Sequence, residues 1–198
     1  MSERFRRSHM LFIAVCLIIL ESLITPVCQL GAEAEESAIA DYLERGKRYI
    51  EMELYDQAIT EFHQILQINL NHSETYYCIG DAYRYKNMID KAVDAYQHVL
   101  TLKAPKQIYG QAYLHLGVLY GEQGKFTDAE EYCKIAVEIL PKMAKAYAHL
   151  GDIYLHRRNF NLAVSSYQKA ISLDPDSVEP YTGLGRAYLM QNQFELAI

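Results

Sequence analysis

Tyrosine, glycine and tyrosine at relative positions −4, 0 and +3 fall on a single stripe of a helix that turns 100° per residue. Along this chain that stripe occurs five times. It is centred on Gly46, Gly80, Gly117, Gly151 and Gly185, at spacings of 34, 37, 34 and 34 residues. The flanking tyrosines are Tyr42, Tyr76, Tyr113, Tyr147 and Tyr181 before the glycines, and Tyr49, Tyr83, Tyr120, Tyr154 and Tyr188 after them. A second apolar set follows each stripe. Alanine stands twelve residues after every glycine (Ala58, Ala92, Ala129, Ala163, Ala197), Phe62, Tyr96, Cys133 and Tyr167 stand at +16, and Ile65, Val99, Ala136 and Ala170 stand at +19. This pattern predicts two helices per repeat, the second approaching the first closely where the glycine has no side chain. Asn87, Gly124 and Asn192 at +7 suit the left-handed residue that ends a helix, whereas Glu53 and Arg158 depart from that preference. Pro141 and Pro175 close the second helices of the third and fourth repeats.

Five copies in phase resemble the tetratricopeptide repeat, over about residues 37–198. Tyrosine takes the first column where that family often has tryptophan, and Leu70 and Ala104 stand where the first two repeats would carry the closing proline. The resemblance implies an all-α fold, a right-handed superhelical solenoid of antiparallel helix pairs in which each repeat packs on its neighbours. The repeats are placed at about 39–72, 73–109, 110–143, 144–177 and 178–198, the last incomplete. The second is three residues long, around Leu102–Gln107, which reads as a tolerated surface insertion. The fifth stops at Ile198, inside its second helix and without the polar cap a solenoid needs, so the natural protein is expected to continue.

The N-terminus follows other rules. Arg4, Arg6 and Arg7 precede an apolar run from Met10 to Leu20, and Gly31-Ala32-Glu33-Ala34 offers small residues for cleavage. Residues 1–34 therefore read as an export signal peptide, or alternatively as an uncleaved signal anchor. Glu21 and Pro26 interrupt the run short of the ~20 apolar residues a membrane span needs. The expected location is outside the cytoplasm: periplasmic, cell-envelope or secreted. Removing this segment leaves the net charge at −6, which argues against a nucleic-acid partner. Of four cysteines, Cys78 and Cys133 lie in the repeats and read as unpaired small hydrophobes, with a bridge open in an oxidising compartment. The seventeen tyrosines are mostly framework, leaving Tyr77, Tyr85, Tyr109 and Tyr132 outside it.

In tetratricopeptide repeat proteins the face opposite the tyrosine stripe lines a concave groove where peptide segments dock. Here its charged members are Glu44, Lys47, Glu51, Glu74, Asp81, Glu122, Lys145, Asp152, Glu179 and Arg186. Seven are acidic and three basic, which favours a partner of positive or polar character. The family's carboxylate clamp of lysine, asparagine and arginine is not reproduced: its first positions hold Leu43 with Lys47, Tyr77 with Asp81, and Leu114 with Val118. His149 and His156 flank Asp152, and His115 holds the equivalent place one repeat earlier. Seven residues put two imidazoles on one helix roughly 10 Å apart, too far to share a metal ion. No nucleophile motif or phosphate loop is present.

These residues predict a non-catalytic scaffold, without cofactor or metal, that binds a protein or peptide segment in its groove. The contributing residues are expected to be Tyr77, Asp81, Tyr85, His115, Lys145, His149, Asp152 and His156, with the two tyrosines as anchors. A membrane would be met only through an uncleaved N-terminal segment. The alternative is the substrate-recruiting N-terminal portion of a longer enzyme whose catalytic domain lies beyond Ile198.

Overall fold

The structure is a computed structural model that describes residues 31–191. Among the described residues there are nine helices and no strands. Residues 31–51 form α1. It is followed by α2 (Tyr55–Ile68), α3 (Ser73–Tyr85), α4 (Ile89–Thr101), α5 (Lys106–Glu122), α6 (Phe126–Ile139), α7 (Ala144–His156), α8 (Phe160–Leu173) and α9 (Val178–Met190). Residues 1–30 of the candidate export segment lie outside the described residues, as do Asn192, Phe194 and Ala197 of the fifth repeat. Residues 31–34 are exposed and helical, continuous with the rest of α1. Among the described residues no helix is long and apolar enough to cross a membrane.

The pairing within each repeat follows from its columns. Alanines 58, 92, 129 and 163 are completely buried, as are Phe62, Tyr96 and Cys133 at +16 and the four residues at +19. A Cβ on Gly46, Gly80, Gly117 or Gly151 would come within 2.3–2.6 Å of the side chain at +16 of its own repeat. The glycines are thus the sockets into which the +16 side chains fit, and even alanine would overfill them.

The turns between paired helices share one backbone. Glu53, Asn87, Gly124 and Arg158 all have positive φ, between 58° and 75°. In each repeat the following residue donates its N–H to the carbonyl of the +3 tyrosine, from Leu54, Met88, Lys125 and Asn159, at 2.8–2.9 Å. That bond satisfies a carbonyl the helix end would otherwise leave open. Glu53 and Arg158 depart from the residue preference yet adopt the same conformation as Asn87 and Gly124, held there by the identical hydrogen bond.

The three additional residues of the second repeat are taken up by α5. Its neighbours α3, α7 and α9 begin seven residues before their glycine, whereas α5 begins at Lys106, eleven before Gly117. Pro105 stands at its N-cap, with φ −59° pre-set for helix entry. The added turn is tied down by the Tyr109 hydroxyl, which donates to the Leu102 carbonyl.

Helix contacts fix the curvature. From α3 onward the backbone of each odd-numbered helix closely approaches that of the next odd-numbered one, while the backbones of α2, α4, α6 and α8 stand farther apart from one another. The stack therefore bends toward its odd helices, which form the inner, concave wall. Cys78 and Cys133 are buried and unbridged, in separate clusters of the core. Burial pushes both thiols up to about 12, so they are inert at neutral pH.

Candidate functional site

Two positions of the repeat combine to furnish the inner wall. The residue at +1 faces the groove, and the ring at +16 reaches toward it from beneath. In the second repeat Tyr96 donates to Asp81 Oδ1 at 2.6 Å, and in the fourth Tyr167 donates to Asp152 Oδ1 at 2.7 Å. The first and third repeats have Lys47 with Phe62 and Val118 with Cys133, which cannot form this bond. Both carboxylates at +1, Asp81 and Asp152, are therefore supported by a tyrosine hydroxyl from the core.

The N-terminal half of the groove is closed by its own side chains. The Tyr77 hydroxyl and His115 Nε2 are in hydrogen-bond contact at 3.0 Å, and the His115 ring lies parallel to Tyr96 at 5.2 Å. Asp81 Oδ1 is 3.8 Å from His115 Nε2 and 3.7 Å from the Arg84 guanidinium. Burial holds the His115 imidazole down to about 4, against the opposing pull of Asp81, so it is neutral at pH 7. Burial beside Asp81 also raises the Tyr77 and Tyr96 hydroxyls, which stay protonated. The Tyr77 hydroxyl is thus engaged within an internal network. Tyr85 meets that network only through Arg84, whose guanidinium lies 4.4 Å over its ring, and it stacks on Tyr55 at the start of α2 at 5.6 Å.

The C-terminal half is open. A cavity of about 360 Å³ lies among α5, α7 and α9. Gly121, Glu122 and Phe126 form one side, and His149, Asp152 and His156 the other. Arg186 of α9 closes the end. The His156 ring stacks on Phe126 at 5.1 Å and 13°, giving a continuous aromatic wall. His149 Nδ1 stands 3.8 Å from Asp152 Oδ2, beyond hydrogen-bond reach. Burial lowers the His149 imidazole; Asp152, Glu179 and Glu122 oppose that shift and Lys145 adds to it. Lys145 itself is exposed and lies off the cavity lining. Among the described residues no three histidine, cysteine or acidic side chains are placed to hold a metal ion.

Residues 77–144 match the family described as Tetratricopeptide repeat, and residues 151–192 match the family described as TPR repeat. The chain is a tetratricopeptide repeat protein. Its fold is similar to that of MamA, with a TM-score of 0.69 at 22% identity, over 82% of this chain and 87% of that one. A MamA fragment from Desulfovibrio magneticus RS-1 gives 0.70 at 21%, over 81% and 89% of the two chains. YrrB, described as a TPR protein with an unusual peptide-binding site, gives 0.64 at 20%, over 84% and 88%. No curated protein sequence matches the chain.

Of the residues singled out from the repeat pattern, the structure brings Tyr77, Asp81 and His115 into one network and His149, Asp152 and His156 around one cavity. Lys145 and Tyr85 belong to neither. Reasoning from the groove face alone missed Arg84, Tyr96, Gly121 and Phe126. A signal for Tyr96 was present: aspartate at +1 occurs in the same two repeats that have tyrosine at +16. Gly121 had one as well, since Ile50, Arg84, Leu155 and Leu189 occupy its place in the other repeats. The acidic character of the groove is also reduced, because Lys47 pairs with Glu74 at 2.7 Å and Arg48 pairs with Glu44.

Proposed function

We propose that this tetratricopeptide repeat protein is a non-catalytic scaffold that holds a peptide segment of another protein in its concave groove. The observation that carries this reading is the open cavity on the inner wall of α5, α7 and α9, beside a half of the groove where Tyr77 already bonds His115 and Tyr96 already bonds Asp81. Pockets that bury a side chain and present a few convergent polar groups are the usual form of a recognition site. The similarity to YrrB lends support on the level of fold. Distributed contacts along several repeats suit an extended ligand, with affinity concentrated at the few positions where a side chain is fully enclosed.

Site-specific photocrosslinking tests the reading. A crosslinking residue at Val118, on the inner wall, should capture a partner from the native cell fraction, while one at Asp94, on outer helix α4, should not. Equal capture at the two positions, or a product made only of this chain's own copies, would overturn it. Export belongs to the same proposal, resting on the charge and hydropathy pattern of residues 1–34. Fractionation combined with N-terminal sequencing should recover the chain outside the cytoplasm. Recovery solely from the cytoplasm, with the first residues retained, would refute that part.

A further inference from the structure

We propose that the cavity beside Gly121 is a side-chain pocket that accepts one cationic group, a lysine or arginine of a peptide lying in the groove; this rests on the groove reading above.

Gly121 is the observation that singles this cavity out. Gly46, Gly80, Gly117 and Gly151 are required by packing, since a Cβ on any of them would strike a core side chain. Gly121 is not. A Cβ there would meet nothing closer than the Cβ of Ala129, at 3.8 Å, an ordinary contact. Its backbone does not need glycine either, because Gly124 is the glycine with positive φ. Glycine weakens a helix relative to alanine through the extra backbone entropy it loses. Neither packing nor backbone geometry repays that cost at Gly121. What the missing side chain leaves is open space on the cavity lining, at the position that Leu155 fills as a buried core residue in the next repeat.

The lining selects the guest. Glu122 and Asp152 approach the space from neighbouring helices, and Arg186 stands at its end. The fixed lining charge is therefore one negative in excess, which a single positive group neutralises. Asp152 Oδ1 is occupied by the Tyr167 hydroxyl, but among the described residues no donor lies within hydrogen-bond distance of Oδ2. Glu122 makes no ion pair or hydrogen bond with the described residues. The stacked rings of Phe126 and His156 give a flat wall, and a guanidinium or ammonium group gains from an aromatic face. A carboxylate guest would instead face two carboxylates.

A random twelve-residue peptide library panned on the 198-residue chain provides the probes. Selected peptides are then measured by fluorescence anisotropy against wild type, Gly121→Leu and Asp152→Asn. The expected result is a lysine or arginine at one common position, with at least a tenfold loss of affinity when it is replaced by norleucine or citrulline. Gly121→Leu should produce a loss of similar size without lowering the thermal midpoint, which separates a blocked pocket from a damaged fold. Asp152→Asn, which leaves the shape unchanged, should weaken only the peptides with the basic residue. If selected peptides are displaced by a bulky Val118→Trp substitution, yet share no basic residue and bind Gly121→Leu as well as wild type, the pocket assignment is overturned and the groove reading survives. If no selected peptide is sensitive to Val118→Trp, both are overturned.

Discussion

At the scale of single residues, the turns carry a strain that the repeat pattern only half discloses. Glu53 and Arg158 are held at φ 62° and 58°, where a side chain crowds the following carbonyl and costs about 1–2 kcal/mol. Glycine there would relieve the clash at some expense in unfolded-chain entropy. Arg158→Gly and Glu53→Gly should each raise stability, by about 0.5–1 kcal/mol, measured as a shift in the urea midpoint. Loss of stability in both would mean that the surrounding contacts of these side chains outweigh the backbone term. The sequence left these two turns ambiguous for a physical reason. Residue preference records the local cost of a conformation, whereas the conformation here is enforced by the paired helices and by hydrogen bonds from Leu54 and Asn159 to Tyr49 and Tyr154.

At the scale of an element, the governing feature is the contact between a glycine on the first helix and a ring on the second. In the fourth repeat a Cβ at Gly151 would lie 2.5 Å from the Tyr167 ring. Tyr167 is almost wholly buried, and its hydroxyl is bound to Asp152. It cannot withdraw without losing that bond. Gly151→Ala should therefore destabilise the protein by about 1–3 kcal/mol, the usual cost of overpacking a filled core. A thermal melt equal to wild type would show that the α7–α8 pair can slide apart freely. Such contacts were legible because they recur: glycine at 0, alanine at +12 and a ring or small residue at +16 are repeated in register, and the structure buries them in the first four repeats. The site was less legible. His149, Asp152 and His156 share one helix face and could be grouped by spacing. Phe126 and Arg186 reach the same cavity from other helices, and no periodicity in one helix reports what a neighbour contributes. The Tyr77 ring looked free because it stands outside the framework columns, yet His115, thirty-eight residues later, takes its hydroxyl.

At the scale of the whole molecule, buried imidazoles couple the stack to pH. Burial lowers His115 to about 4 from an ordinary value of 6.5. The unfolded chain therefore binds this proton at a higher pH than the folded one does. Stability from this group is complete above about pH 6.5 and is lost as pH falls toward 4, by up to ~1.4 kcal/mol per pH unit. His149 and His72 are lowered by burial too and act with the same sign. Urea titrations at pH 7, 5.5 and 4.5 should show a declining midpoint, with a shallower decline in His115→Gln. Parallel declines in the two proteins would place the acid sensitivity elsewhere.

The wider backbone spacing of α2, α4, α6 and α8 has a mechanical meaning. Adjacent repeats are joined like the leaves of a fan, held close along the inner edge, where odd helices approach, and spread along the outer edge, where side chains such as Gln97 and Tyr132 span the space. Resistance to bending is therefore unequal in the two directions. Tightening the curve compresses side chains already in contact, whereas opening it must pull those contacts apart while the outer spacing narrows. A guest seated between α5, α7 and α9 sits at the pivots themselves, so a small group there can set the arc of a much longer surface.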